Sequence, residues 1–157
     1  MKKMVMTMGM AVMLLGAGCT TTTAPSALSN RSMLTLPDGK KITVEVARTP
    51  DEQAQGLADR SNVGDGMLFC MGETTMQRFW MLGMKVPIDM VWIHGGEVRG
   101  VAAEVPLQER AASGKMAPSV RLSNELVNMV LELPSGFAAK HGVEVGAMVD
   151  GSVDACK

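Results

Sequence analysis

A single, mainly β domain is what this sequence predicts: an antiparallel sandwich or barrel-like body with two short helices. Three observations lead there. Apolar runs are short and end at turn signals, as in GMLF at 66–69, FWML at 79–82 and IDMVWI at 88–93. Strict alternation marks ITVEV at 42–46 as a half-buried strand. Only two stretches carry helix signals, and 157 residues suit one domain with a real core.

The N-terminus reads as a targeting segment. Lys2 and Lys3 precede an apolar stretch, Met4 to Leu15, and then GAGC at 16–19. A bilayer span needs about 20 apolar residues, so this one is a leader and not a membrane helix. The Cys after small residues is the form of a bacterial lipoprotein signal, removed over 1–18 with lipid placed on Cys19. Gly16 stands where such signals usually have Leu, and the plainer alternative is an ordinary secretory leader cut nearby. Residues 19–32 would form a flexible tether, TTTTAPSALSN having no large apolar residue except Leu28. Thr20 in place of Asp points to the periplasmic side of the outer membrane. The net charge of −1 falls by two, to −3, when Lys2 and Lys3 leave, and no basic run follows them except Lys40-Lys41. Nucleic acid is not an expected partner. With Cys19 lipidated, Cys70 and Cys156 remain in an oxidising compartment. They could form a bridge worth roughly 4 kcal/mol, or stay a packed thiol and a loose tail thiol.

The β-rich domain is expected over 33–152. LTL at 34–36 and ITVEV flank Pro37-Asp38-Gly39, a hairpin turn. Thr49-Pro50-Asp51-Glu52 is a capping box with Pro at the first helical position, and the helix should run to about Asp59 with Ala54, Leu57 and Ala58 inward. The stretch GMLFCMGETTMQRFWMLGMKVPIDMVWI reads as three strands divided at GETTMQR and GMKVP. HGGE at 94–97 turns into EVRGVAAEV, residues 106–124 form a surface excursion, and NMVLEL at 128–133 is a strand. PSGFAAKHG at 134–142 is a short helix closed by Gly142, and VEV with AMVDG pair as a last short hairpin.

QGLADR, GMLF, FWM, VPIDMVWI and VLELPSGFAAKHGVEVG, in that order over residues 41–150, resemble the family called domain of unknown function 192. The resemblance implies a compact, mostly β fold, often exported or membrane-attached, with no assigned reaction. Where the family commonly has Lys-Asn-Thr this chain has Leu82-Gly83-Met84, and where it often has Asp this chain has Ala147. An activity built on those side chains would lack them here.

Arg60, Asp89 and Glu132 are the leading functional candidates, each matching a motif of the resemblance. Alternation points Asp89 with Val91 and Ile93, and Glu132 with Val130, into apolar surroundings. A buried carboxylate needs a partner or a raised pKa. The plainer reading is that Arg60 or backbone N–H groups satisfy both acids. The functional reading is a pocket lined by Trp80 and Trp92, with Arg60 holding a small anionic ligand. That pocket would belong to a non-catalytic binding or accessory module, acting on the ligand or on an envelope protein, with no cofactor. The alternative is an enzyme with Asp89 and Glu132 as an acid/base pair. Sixteen Met residues raise a weaker option, a soft copper site from Met71, Met76 and Met84, against ordinary core packing. His94 and His141 lack zinc-ligand spacing and sit beside glycines at expected exposed turns. No serine-nucleophile, phosphate-loop or dinucleotide motif is present.

Overall fold

The computed structural model describes residues 30–107 and 120–157. The leader at 1–18, Cys19 and nearly all of the tether lie outside the described residues, as does most of the 106–124 excursion. Among the described residues six strands form one curled sheet, a half-barrel, with three short helices. The strands are β1 (Arg31–Thr35), β2 (Lys41–Ala47), β3 (Met67–Trp80), β4 (Ile88–His94), β5 (Glu97–Val105) and β6 (Val120–Pro134). The helices are α1 (Pro50–Gln55), α2 (Phe137–Lys140) and α3 (Ser152–Ala155). Sheet order is β1-β2-β3-β6-β4-β5, antiparallel except for β2 and β3, which run parallel. A parallel pair needs a crossover, here the segment carrying α1, and it lays cover on one sheet face.

The β1–β2 hairpin forms as the turn residues require. Gly39 takes φ 83°, its N–H donates to the Leu36 carbonyl at 2.8 Å, and Asp38 Oδ1 accepts from the Lys40 N–H at 2.9 Å. In α1, Thr49 Oγ1 accepts from the Glu52 N–H while Glu52 Oε2 accepts from the Thr49 N–H. This helix ends at Gln55, short of Asp59, because Gly56 turns to φ 47° against the Phe69 ring; an added Cβ there would lie 3.2 Å from Phe69 Cζ. Leu57 is buried just past the helix end, whereas Ala54 is exposed.

Two strands are longer than the apolar runs suggest. GETTMQR does not break the chain: β3 runs through it, paired with the first half of β6, with register shifts between Cys70 and Thr75 and between Met76 and Arg78. Polar residues are tolerated there because this distal ribbon stands largely in solvent. VEV and AMVDG do not pair with each other. Met148 bridges to Glu97 on β5 and Asp150 to Thr35 on β1, so this segment links the two sheet edges and closes the curl. The structured domain also begins before residue 33 and continues past 152 into α3.

Each face of the sheet has its own core. Val44, Val46, Leu68, Val91, Leu131 and Leu133 fill the concave side. Met67, Phe69, Met90, Trp92 and Val130 lie on the other face, under Leu57 and Val63 of the crossover and Met81. Cys70, facing inward, is disulfide-bonded to Cys156, which ties the C-terminal end to the inner core. His141 is buried, not exposed: its Nδ1 lies 2.7 Å from Asp38 Oδ2 and its ring packs 4.3 Å from Phe137. The histidine hydrogen bond holds the Asp38 carboxyl below its ordinary pKa.

Gly66 shows how tightly the crossover returns to the sheet. Its φ is 115°, and an added Cβ would lie 2.1 Å from the Glu132 carbonyl oxygen. Gly66→Ala should therefore cost about 3 kcal/mol or more, through backbone strain and a forced separation of β3 from β6. Urea unfolding measures it; a loss under about 1 kcal/mol would show that the strand start can shift freely.

Candidate functional site

The two buried acids lie on opposite faces of the sheet. Asp89 pairs in register with Leu133, and Met90 with Glu132. Alternation then sends Asp89 inward with Val91 and Ile93, and Glu132 outward with Val130 and Trp92. They cannot act together on one substrate atom, which removes the geometry of an acid/base pair.

Asp89 is fully buried and its carboxylate accepts three backbone bonds. Oδ1 takes the Glu104 N–H at 2.7 Å and the Gly136 N–H at 3.0 Å; Oδ2 takes the Ala138 N–H at 2.8 Å. The donors are free for a local reason. Opposite Asp89, β5 carries an extra residue between the pairs Ile88–Val105 and Met90–Ala102, and Glu104 sits there at φ 49°. Gly136, at φ 77°, starts α2 with no side-chain cap of its own. Asp89 is thus a fastener of bulge and helix to sheet, the plainer of the two readings of this residue.

Glu132 has no such bonds. It is 4% exposed, flanked in register by Met67 and Met90, and hydrogen-bonded to no side chain or backbone group among the described residues. Burial alone pushes its carboxyl from the ordinary 4.5 up to about 8. Its side chain reaches the floor of a cleft of about 230 Å³. One wall is the crossover, from Gln53 to Ala58; the other is β3 and the following turn, with Phe69, Met71, Arg78, Phe79 and Trp80, then Leu82 and Met84. The walls are joined where the Asp59 N–H donates to the Gly83 carbonyl at 2.8 Å. Phe79 packs edge-on against Phe69 at 5.0 Å and Trp92 at 5.7 Å, so the aromatic wall is braced from behind.

The remaining candidates divide. Trp80 lines the cleft and is 57% exposed. Trp92 lies beneath it in the core, 3% exposed, and an added Cβ on Gly100 would lie 3.0 Å from its ring; it is packing, not pocket lining. Arg60 is not in this cleft either. Its guanidinium makes two bonds to Glu45, at 2.7 and 3.1 Å, in an adjoining concavity, and holds the Glu45 carboxyl below its ordinary pKa. A charge already paired in this fork geometry is not free to hold an anion, so the anion pocket built on Arg60 is not assembled. Met71 and Met84 line the Glu132 cleft while Met76 stands on the distal ribbon, paired in register with Leu126, so the three thioethers do not converge. Among the described residues no cluster of three or more His, Cys, Asp or Glu could hold a metal.

Sequence reasoning missed Arg78, Phe79 as the central wall residue, and the crossover as the opposite wall. The sequence held no clear signal for them: MQRFW does not alternate in hydrophobicity, and only the half-burial of Gln77 and Phe79 between exposed Met76, Arg78 and Trp80 shows the strand continuing through the polar run.

Comparison with solved structures gives the same domain in two other bacterial proteins. A protein of unknown function from Novosphingobium aromaticivorans DSM 12444 is 29% identical, covers 76% of this chain and 83% of its own, and superposes with a TM-score of 0.60. A candidate transcription regulator from Sinorhizobium meliloti 1021 is 31% identical, with 78% and 92% covered and a TM-score of 0.65. No curated protein matches the chain. The profile of a family described as uncharacterized ACR matches residues 33–151, which is most of the chain, and the chain belongs to this family, domain of unknown function 192.

Proposed function

We propose that this chain is a non-catalytic binding module of the cell envelope, exported by the leader at 1–18, lipid-anchored through Cys19, and taking a small ligand into the Glu132 cleft. One observation carries the reading. A carboxyl group that costs the fold stability is kept at the floor of an open, mostly apolar cleft, with no bonding partner among the described residues. Small-molecule sites have this make-up: an apolar concavity and very few polar groups that orient the ligand. Export is supported by the Cys70–Cys156 bond, the chemistry of an oxidising compartment. The tether at 19–32 would hold the domain at the periplasmic side of the outer membrane. The regulator description of the Sinorhizobium protein is not adopted, because the chain carries a net charge of −1 and no basic run beyond Lys40-Lys41 in its mature part.

Native mass spectrometry of the protein purified from its own membrane tests both halves. The expected chain begins at Cys19, carries acyl mass there, and brings a small molecule that is absent from Ala54→Trp. Ala54 is exposed at the cleft wall, so the indole fills the opening without entering the core. An unlipidated chain overturns the anchor. Bare wild type, or the same bound mass on Ala54→Trp, overturns the cleft as the site; a co-purifying envelope protein would then be the partner to study.

A further inference from the structure

We infer that the ligand of this cleft is a small organic amine, bound as its ammonium ion against the Glu132 carboxylate with its apolar body along Phe79, Trp80 and Met71. The inference rests on the binding reading above and specifies its ligand class.

The charge of the cleft complements a cation. Around Glu132 the neighbouring strands present Met67 and Met90, and the crossover presents Gln53 and Gln55, none of them ionisable. Arg78 is the other charged residue of the lining; it is exposed on β3, where water screens it. Glu45 and Arg60, in the adjoining concavity, are bonded to each other. Among the described residues the floor therefore has an acid and no cation bonded to it. The walls fit the same ligand: Phe69, Phe79 and Trp80 line the cleft with aromatic rings, a residue type that attracts cations, and thioether and aliphatic side chains are among the rest. A neutral ligand would leave the carboxyl in its costly surroundings with one hydrogen bond. An ammonium ion supplies both the charge and the donors that burial has taken from it.

Proton balance distinguishes this pairing from its rivals. Near pH 7 the unliganded Glu132 is protonated. An incoming R–NH₃⁺ keeps its own protons, the carboxyl O–H gives up its proton to solvent, and an ion pair replaces the neutral acid. Affinity should then rise about tenfold per pH unit between pH 6 and 7.5 and level off above about 8, with close to one proton released per amine at pH 6.

Calorimetric titration of the mature lipoprotein in detergent, in two buffers of different ionisation enthalpy, reads these quantities directly. The probes are 2-phenylethylamine, hexylamine and phenyltrimethylammonium, with 2-phenylethanol and phenylacetate as neutral and anionic counterparts. The expected result is saturable binding of at least one of the two primary amines, with proton release, and a loss of tenfold or more in Glu132→Gln together with the pH dependence; binding of phenyltrimethylammonium alone overturns the role given to the N–H donors. Binding of the alcohol or of phenylacetate in preference to the amines overturns the amine inference and leaves the cleft a binding site. If no probe of any charge binds, and the native mass is bare as well, the amine inference and the binding reading both fall.

Discussion

Asp89→Ala should leave the chain unfolded, or destabilised by about 4 kcal/mol or more, in urea denaturation. The substitution removes one side chain and strands three buried N–H groups at once, those of Glu104, Gly136 and Ala138. Two of these belong to residues at positive φ, whose backbone geometry the carboxylate helps to maintain. No water can reach the vacated place easily, since Asp89 is 0% exposed on the concave side of the sheet. Asp89→Asn is the informative companion. It keeps an oxygen for one end of the constellation but presents N–H groups at the other, and should cost about half as much. If Asp89→Ala lost less than about 1 kcal/mol, the bulge and α2 would hold without it, and its burial would need another explanation.

Glu132→Gln should do the opposite: it should stabilise the free protein at neutral and alkaline pH. The folded-state pKa is raised from 4.5 to about 8 by burial. Between those values the folded chain holds a proton that the unfolded chain has lost, so stability falls as pH rises. The slope is about 1.4 kcal/mol per pH unit, roughly 5 kcal/mol across the window, and it flattens above the folded pKa. Below pH 4.5 both states are protonated and this residue adds no dependence. Glu45, lowered by Arg60, and Asp38, lowered by His141, act in the acid range with the reverse sign, their stabilisation being lost as pH falls. Wild type should therefore be most stable near pH 5, and Glu132→Gln should remove the decline from pH 5 to 8 while keeping the acid limb. Thermal melts of both proteins at half-unit pH intervals measure this. Parallel curves would mean that Glu132 has a partner at neutral pH and is not held open for a ligand. A variant that is more stable and binds no ligand would mark Glu132 as a residue held for function at a cost to the fold.

The extent to which this molecule was legible beforehand varies with the range of the interactions involved. Thr49 through Glu52 and Pro37 through Gly39 behave as their neighbours dictate, because caps and hairpin turns are made by residues three or four apart. The mainly β class follows from short runs and alternation in the same way. The length of β3 was misjudged where a polar run lies on a solvent-facing ribbon, since hydrophobicity cannot distinguish an exposed strand from a loop. The parallel β2–β3 pairing was misjudged for a related reason: partner choice depends on the crossover packing its Leu57 and Val63 onto the sheet.

By itself, then, the sequence determined the strand-rich class, the local caps and turns, the family resemblance, and which acids would be buried among apolar side chains. Only the tertiary structure decided what each acid does. Alternation states that Asp89 and Glu132 point away from solvent, but a sheet has two covered faces here, and the register between β4 and β6 assigns one acid to each. A shift of one residue would have put both on the same side. On the concave face the bulge at Glu104 and the start of α2 supply donors, so Asp89 is satisfied and structural. On the outer face the part of the crossover that lines the cleft supplies only apolar and amide groups, so Glu132 keeps a carboxyl with no bonding partner among the described residues at the floor of a cleft.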